Sequence, residues 1–350
     1  MVPALALADV LKDRGHQVAF SGTVRGMDRE LILKAGYPHH QVRIRGFDRR
    51  LGLSTLRTLG SIPWAAFEAW KVLRATKPDC VVGVGAYASG PVVAEAALRG
   101  IPTMAVEMDA RMGWTNRLLS VLVDKVCLAF PDERHVGSKY VYTGRPLRPA
   151  LLTATRAEGL NRFGLASDRP VLLAFGGSLG AHALNVVVLE AYARAETPFQ
   201  IVHVTGEMDY SWVVDTLAQP DANPLYQAHA FLDDFHLALA AADAVVSRAG
   251  GSVAEILARG VPALLVPYPY AAGDHQTKNA RRLSESGAAL MVANADLDAN
   301  NLALAVTTLL DPRVNRRMKE AALKLAAPDA TVHIADVVVE LLARPARQHP

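Results

Sequence analysis

Short apolar runs rich in β-branched residues alternate with amphipathic segments along almost the whole chain, the pattern of parallel α/β sheets. In the first half, the runs at 17–20, 41–44, 80–84, 103–106 and 125–128 predict strands. The segments 4–14, 27–36, 54–76, 90–99 and 114–121 predict helices. The stretch Tyr142-Thr143-Gly144-Arg145-Pro146-Leu147-Arg148-Pro149 is a Pro-punctuated crossing and a natural domain boundary. A second series then begins, with strands predicted at 171–175, 200–204, 244–246, 263–266 and 289–292. Helices are predicted at 181–195, 232–240, 252–259, 275–286 and 298–310, and residues 312–345 read as Ala- and Leu-rich helices. Two similar α/β domains are therefore expected, 1–146 and 147–330, with a C-terminal helix and tail at 331–350. Such a pair places a ligand cleft between its members, at the C-terminal ends of the strands. The chain opens on a helix, where a sheet of this kind opens on a strand, so a first strand is expected to be missing.

Composition narrows the function. A length of 350 residues fits two domains of ordinary size, and 51% hydrophobic residues fit well-packed cores. A net charge of +3 is too small for a dedicated nucleic-acid binder. Cys80 and Cys127 lie in strand-like runs with no metal-ligand spacing around them, which points to reduced, buried thiols and a cytoplasmic setting. No apolar stretch reaches the length of a membrane span. The apolar start at residues 1–8 lacks a basic n-region, and Asp9, Lys12, Asp13 and Arg14 interrupt it at helical spacing. It reads as an amphipathic helix with Pro3 in its first turn, not as a signal peptide.

The candidate chemistry lies in loops that join strands to helices. In the second half, the apolar run at 171–175 enters Gly176-Gly177-Ser178-Leu179-Gly180-Ala181 and then a helix carrying Asn185. Glycines there let backbone N–H groups close on a phosphate, and the helix N-terminus adds favourable charge. A tight turn needed only for packing would give the same pattern. A second loop, Ser247-Arg248-Ala249-Gly250-Gly251-Ser252, opens a helix that carries Glu255, a candidate acceptor for a ribose diol or an ordinary dipole-compensating acid. A third, Pro267-Tyr268-Pro269-Tyr270-Ala271-Ala272-Gly273-Asp274, leads into His275, Gln276 and Asn279, which can meet sugar hydroxyls. In the first half, Gly83-Val84-Gly85-Ala86-Tyr87-Ala88-Ser89-Gly90-Pro91 again joins a strand to a helix. Glu107, Asp109 and Asn116 flank the end of the next strand, where acidic groups are candidates for proton transfer or hydroxyl binding.

Taken in this order, the loops resemble those of the MurG family, UDP-N-acetylglucosamine transferases that convert lipid I to lipid II in peptidoglycan synthesis. The resemblance runs from about residue 3 to about residue 336. It implies the GT-B arrangement of two Rossmann-like domains, with the donor in the C-terminal half and no tightly held metal or other cofactor. It places Gly176, Gly177, Ser178, Gly180 and Ala181 at the donor pyrophosphate, and Glu255 on the uridine ribose. Phe231 and Leu232, in Phe231-Leu232-Asp233-Asp234, fall at the uracil pocket, and Gln276 falls on the N-acetylglucosamine hydroxyls. His275, Arg248 and Arg148 join the donor set. Gly85, Tyr87, Ser89 and Gly90 fall on the acceptor side, with Asn116. The family's Gly-Gly-Thr-Gly-Gly-His loop, with its histidine, has no counterpart here. Glu107 and Asp109 are the candidate catalytic carboxylates in its place. An arginine common after the family's donor glycine loop is replaced by His182.

The implied acceptor is an undecaprenyl-linked lipid, which puts the chain on the cytoplasmic face of the cell membrane as a peripheral protein. Trp64, Phe67 and Trp70 recur at helical spacing near Arg57, Lys71, Arg74 and Lys77, and aromatics bordered by cations suit an anionic membrane surface. A core-facing helix with basic flanks would also fit. Two other readings stay open: a related transferase acting on another lipid such as diacylglycerol, and an inactive, truncated UDP-sugar binder.

Overall fold

The computed structural model describes residues 2–22, 27–42, 53–84, 89–109, 112–131, 134–177 and 180–343. Ser178, Gly85 and Tyr87 lie outside these residues. The chain divides into two compact units, one formed by 1–148 with 328–350 and the other by 149–327. The last stretch therefore belongs with the first unit.

The first unit contains α1 (Val2–Asp13), β1 (Phe20–Gly22), α2 (Met27–Lys34), β2 (His39–Gln41), α3 (Leu53–Thr76) and β3 (Val81–Val84). It continues with α4 (Gly90–Leu98), β4 (Thr103–Glu107), α5 (Trp114–Leu122), β5 (Lys125–Leu128) and β6 (Tyr140–Tyr142). Strands β3-β4-β5-β6 form one parallel sheet, and β1 and β2 pair in parallel as a separate sheet. β4 and β5 are buried along their whole length, as strands covered on both faces must be. The first two strands lie elsewhere than predicted: Phe20 pairs with His39 and Gly22 with Gln41, and residues 43–44 of the predicted second run lie outside the described residues. A pair of three-residue strands, Phe-Ser-Gly and His-His-Gln, with a single apolar side chain between them, carries little apolar pattern to find.

The second unit contains α6 (Pro149–Thr153), α7 (Arg156–Phe163), β7 (Val171–Phe175), α8 (His182–Tyr192), β8 (Gln200–Val204), α9 (Glu207–Leu217) and β9 (Tyr226–His229). It continues with α10 (Phe235–Ala241), β10 (Ala244–Ser247), α11 (Val253–Arg259), β11 (Ala263–Leu265), α12 (His275–Glu285), β12 (Ala289–Met291), α13 (Ala299–Leu310) and α14 (Pro312–Leu325). Its six strands form one parallel sheet in the order β12-β11-β10-β7-β8-β9, so β7 lies beside β10. The strand order reverses at that point, which is where open α/β sheets take their ligands. Leu172, Ala174, Ile201, Val246 and Leu264 from this sheet pack with Leu184 and Val188 of α8 and Leu302 and Val306 of α13.

The final helix, α15 (Ala330–Leu342), packs on α1 and on the first unit's sheet. Ile334, Val338 and Leu341 share a core with Leu7, Leu11, Met104, Val106 and Cys127. Thr331 closes the crossing, donating to the Leu147 carbonyl at 2.7 Å and accepting from its amide at 2.9 Å. Cys127 is buried as expected, whereas Cys80 is half-buried, and burial pushes both thiols up to about 12.

Candidate functional site

In the second unit, three strand-to-helix loops carry the glycines picked out above. Gly176 and Gly180 have no room for a side chain: a Cβ at the first would strike Ala181, and at the second the carbonyl oxygen of Thr205. Gly180 also has a φ of +77°. The loop after β7 is thereby pressed against the Thr205–Gly206 turn that follows β8. At the end of β7 that enters this loop, Phe175 meets Phe235 edge-on at 4.8 Å, next to the Phe231-Leu232-Asp233-Asp234 segment. Phe231 is exposed there and Leu232 is buried.

The loops after β10 and β11 are tied to each other. Asn279 Nδ2 donates to the Ala249 carbonyl at 3.0 Å, and Gln276 Oε1 accepts from the Tyr268 amide at 2.9 Å. The Gln276 amide nitrogen lies 3.7 Å from where a Cβ on Gly250 would stand. Gln276, Gly250 and the first turn of α11, which carries Glu255, therefore come together. His275 is the first residue of α12.

Arg248 is different from what its place in the loop suggests. It is buried, and its Nη1 donates to the carbonyls of Val266 and Pro267 and, at 2.7 Å, to Asn294 Oδ1. Its guanidinium lies 5.7 Å from the centre of the Tyr268 ring, and burial lowers its pKa. Those contacts make it a stitch between β10, β11 and the turn at Asn294.

Helix capping varies among the helices of this unit. Among the described residues, α8, α9, α10, α11 and α12 start with no side-chain hydrogen bond from the N-cap residue. By contrast α7 has a full capping box from Thr155 and Glu158, Asp298 caps α13, and Asp311 caps α14. A cap is worth about 0.5–2 kcal/mol, so helices that forgo one at a shared strand end leave their N–H groups for another acceptor. Of these, α8 and α11 begin behind glycine loops on the two strands that flank the switch point, β7 and β10.

In the first unit, Glu107 ends β4 and is buried. Its Oε1 accepts from the Asp109 amide at 3.0 Å, and its Oε2 accepts from the Gly113 amide at 2.8 Å and Asn116 Nδ2 at 3.0 Å. Asn116 is itself buried and also donates to the Val106 carbonyl. Both residues hold the loop between β4 and α5. Asp109 is half-buried, and no side-chain hydrogen bond to its carboxylate is found among the described residues. A Cβ on Gly90, at the start of α4, would stand 3.2 Å from the Thr115 side chain of α5, and Ser89 lies immediately before it. Arg148 is half-buried at the end of the unit.

The aromatic stretch of α3 lies partly on the surface. Trp64 is 54% exposed and Phe67 48%, while Ala65, Ala69 and Leu73 face the core. Phe67 stacks on Trp70 at 5.6 Å, Lys71 lies over Phe67 and Arg74 over Trp70. The helix thus has both faces that the sequence left undecided, one in the core and one outside. Arg57 lies where side chains are outside the described residues. No helix among the described residues is long and apolar enough to cross a membrane, and none of their His, Cys, Asp and Glu side chains cluster in a way that could hold a metal ion.

Two Rossmann-like units with parallel sheets, one of them gathering glycine loops and uncapped helices at its switch point, define a GT-B glycosyltransferase. The chain belongs to glycosyltransferase family 28: the family's N-terminal domain matches residues 1–128 and its C-terminal domain residues 171–334. It is 40% identical, over 98% of its length and 90% of the relative's, to the UDP-N-acetylglucosamine–N-acetylmuramyl-(pentapeptide) pyrophosphoryl-undecaprenol N-acetylglucosamine transferase of Anaeromyxobacter dehalogenans. The enzyme of the same name from Halothermothrix orenii is 35% identical over 93% of this chain and 91% of its own length. Among solved structures, Acinetobacter baumannii MurG superposes with a TM-score of 0.77 at 32% identity, covering 97% of this chain and 95% of that one. A UDP-GlcNAc 2-epimerase from Neisseria meningitidis, at 18% identity, a TM-score of 0.69 and 97% of both chains, shares the fold.

Proposed function

We propose that this chain transfers N-acetylglucosamine from UDP-N-acetylglucosamine to the lipid-linked N-acetylmuramyl-pentapeptide acceptor, lipid I, with inversion at the anomeric carbon. The observation that carries the reading is the pair of helix starts, α8 and α11, that follow glycine loops on the two switch-point strands of a family 28 C-terminal domain. The first of these, with Gly176, Gly177 and Gly180 before it, takes the diphosphate, Glu255 the ribose and Gln276 the sugar, while Phe231 and Leu232 border the base. The acceptor hydroxyl forms its bond to C1 as the bond from C1 to the β-phosphate oxygen breaks. The charge that develops on UDP is met by backbone amides already in place.

The hydroxyl proton needs an acceptor, and Asp109 is the better placed of the two carboxylates, because Glu107 is engaged with the loop. The acceptor's lipid requires contact with a membrane, for which the exposed Trp64 and Phe67 with Lys71 and Arg74 are suited. The test is transfer of labelled N-acetylglucosamine to a lipid I analogue, with diacylglycerol as the competing acceptor. Transfer to lipid I alone is expected. Transfer to diacylglycerol, or UDP binding without transfer, would replace the proposal with one of its rivals.

A further inference from the structure

We propose that Asp209 is a positioning residue for the donor-phosphate loop, an inference that rests on the reading of the α8 N-terminus as the diphosphate site. Asp209 sits in the first turn of α9, where an acid ordinarily answers its own helix dipole. Its carboxylate caps nothing in α9. Instead it bridges two residues one turn apart at the start of α8: Oδ1 lies 3.0 Å from His182 Nδ1, and Oδ2 accepts from Asn185 Nδ2 at 2.7 Å. The Asp209 side chain is only 16% exposed, although His182 on its outer side is largely open.

Behind this clamp, the polar groups form one chain with a single consistent direction. Asn185 Nδ2 also donates to the Thr205 carbonyl at 2.8 Å, so its oxygen must be the atom facing His203 Nε2 at 3.0 Å. Burial pushes the His203 pKa down to about 3, which keeps the ring neutral with one N–H. Because Asn185 Oδ1 can only accept, that hydrogen is on Nε2, and Nδ1 accepts from Tyr226 Oη at 2.8 Å. Every group is satisfied, and a satisfied buried network is rigid.

The chain ends on the oxygen that matters most for the loop. The Thr205 carbonyl held by Asn185 is the one against which Gly180 is pressed. Asp209 therefore fixes the loop by two routes, through the first turn of α8 and, by way of Asn185, through the turn that backs Gly180. Displacing that turn moves the amides that would face a diphosphate, and it reaches the base side of the pocket only through Thr205 and Gly206, whose amides donate to the His229 and Ala230 carbonyls.

The test is calorimetric titration of the full chain with UDP and, in parallel, with uridine, which lacks phosphates. Asp209→Ala is expected to weaken UDP roughly tenfold while leaving uridine binding unchanged. Asp209→Asn keeps an acceptor for Asn185 and should fall between the two, with a melting temperature near that of the unaltered chain. Glu207→Ala, an exposed acid in the same turn, should bind UDP normally and so exclude a general effect of the α9 dipole. If Asp209→Ala does not fold, Asp209→Asn and His182→Ala, which removes one arm of the clamp from the surface side, carry the comparison. Equal UDP affinity in all variants, or parallel loss of UDP and uridine, would overturn the positioning role. If the unaltered chain binds no UDP, the donor-site reading falls and this inference with it.

Discussion

The two units use charge in opposite ways. In the second, the proposed ligand surface is backbone: glycine loops and open helix ends at the C-terminal edge of a continuous six-stranded sheet, with the ionic groups Arg248 and Asp209 turned to fixing those loops. In the first, whose strands are divided between a pair and a group of four, the conspicuous carboxylate Glu107 is turned inward as a fastening, and the outward features are Asp109 and an aromatic face on α3. A charged side chain at a strand end is thus a poor guide to chemistry in either unit. Backbone geometry is the better guide, because a glycine that cannot be replaced leaves a local signature and a carboxylate does not reveal its partner.

The sharpest test of this contrast sets Asp109 against Glu107. Asp109→Asn should lower kcat by about 10²–10⁴-fold with folding intact, the usual worth of a general base. Glu107→Gln should instead lower thermal stability, since a carboxylate accepting from two amides and Asn116 is replaced by a group that repels one of its donors. Loss of kcat on the Glu107 variant without loss of stability would reverse the assignment.

Next in size is Gly180→Ala. A methyl group there meets the Thr205 carbonyl at a backbone angle L-residues avoid, so the loop must move, and UDP affinity should fall by on the order of 10²-fold. Calorimetry reads this directly, and unchanged affinity would mean the loop lies away from the diphosphate.

Acid should unsettle the second unit through His203. Its folded pKa of about 3 lies below the ordinary 6.5, so the unfolded chain binds the extra proton between those values. Stability is therefore full above about 6.5 and is lost as pH falls, by roughly 1.4 kcal/mol per unit at most. Thermal melts from pH 7 to 4.5 should show a slope that His203→Gln reduces.

The smallest effect concerns the surface of α3. Trp64→Ala should reduce cosedimentation with anionic vesicles by roughly threefold to tenfold, in line with the apolar area it offers. Binding of the unaltered chain should weaken as salt rises. Indifference to both would return α3 to an ordinary surface helix.

The alternation of strands and helices, the buried strands and the glycine loops are legible in the sequence, because hydrophobic period and glycine placement are local properties. The strands β6 and β9 are not, and both are edge strands with polar residues such as Gln227 and His229, where half the apolar signal is lost. Nor are α6 and α7, which are five and eight residues long and too short to show a clear period, or α9. The order of the loops was enough to indicate the family. Tertiary structure alone decided what the polar residues do. It placed α15 with the first unit, turned Glu107 and Asn116 into the loop beside them, and gave Arg248 to the carbonyls of Val266 and Pro267. It also brought Asp209 to His182 and Asn185, partners 27 and 24 residues away. A hydrogen bond depends on where two distant segments meet, and no periodicity along the chain records that meeting.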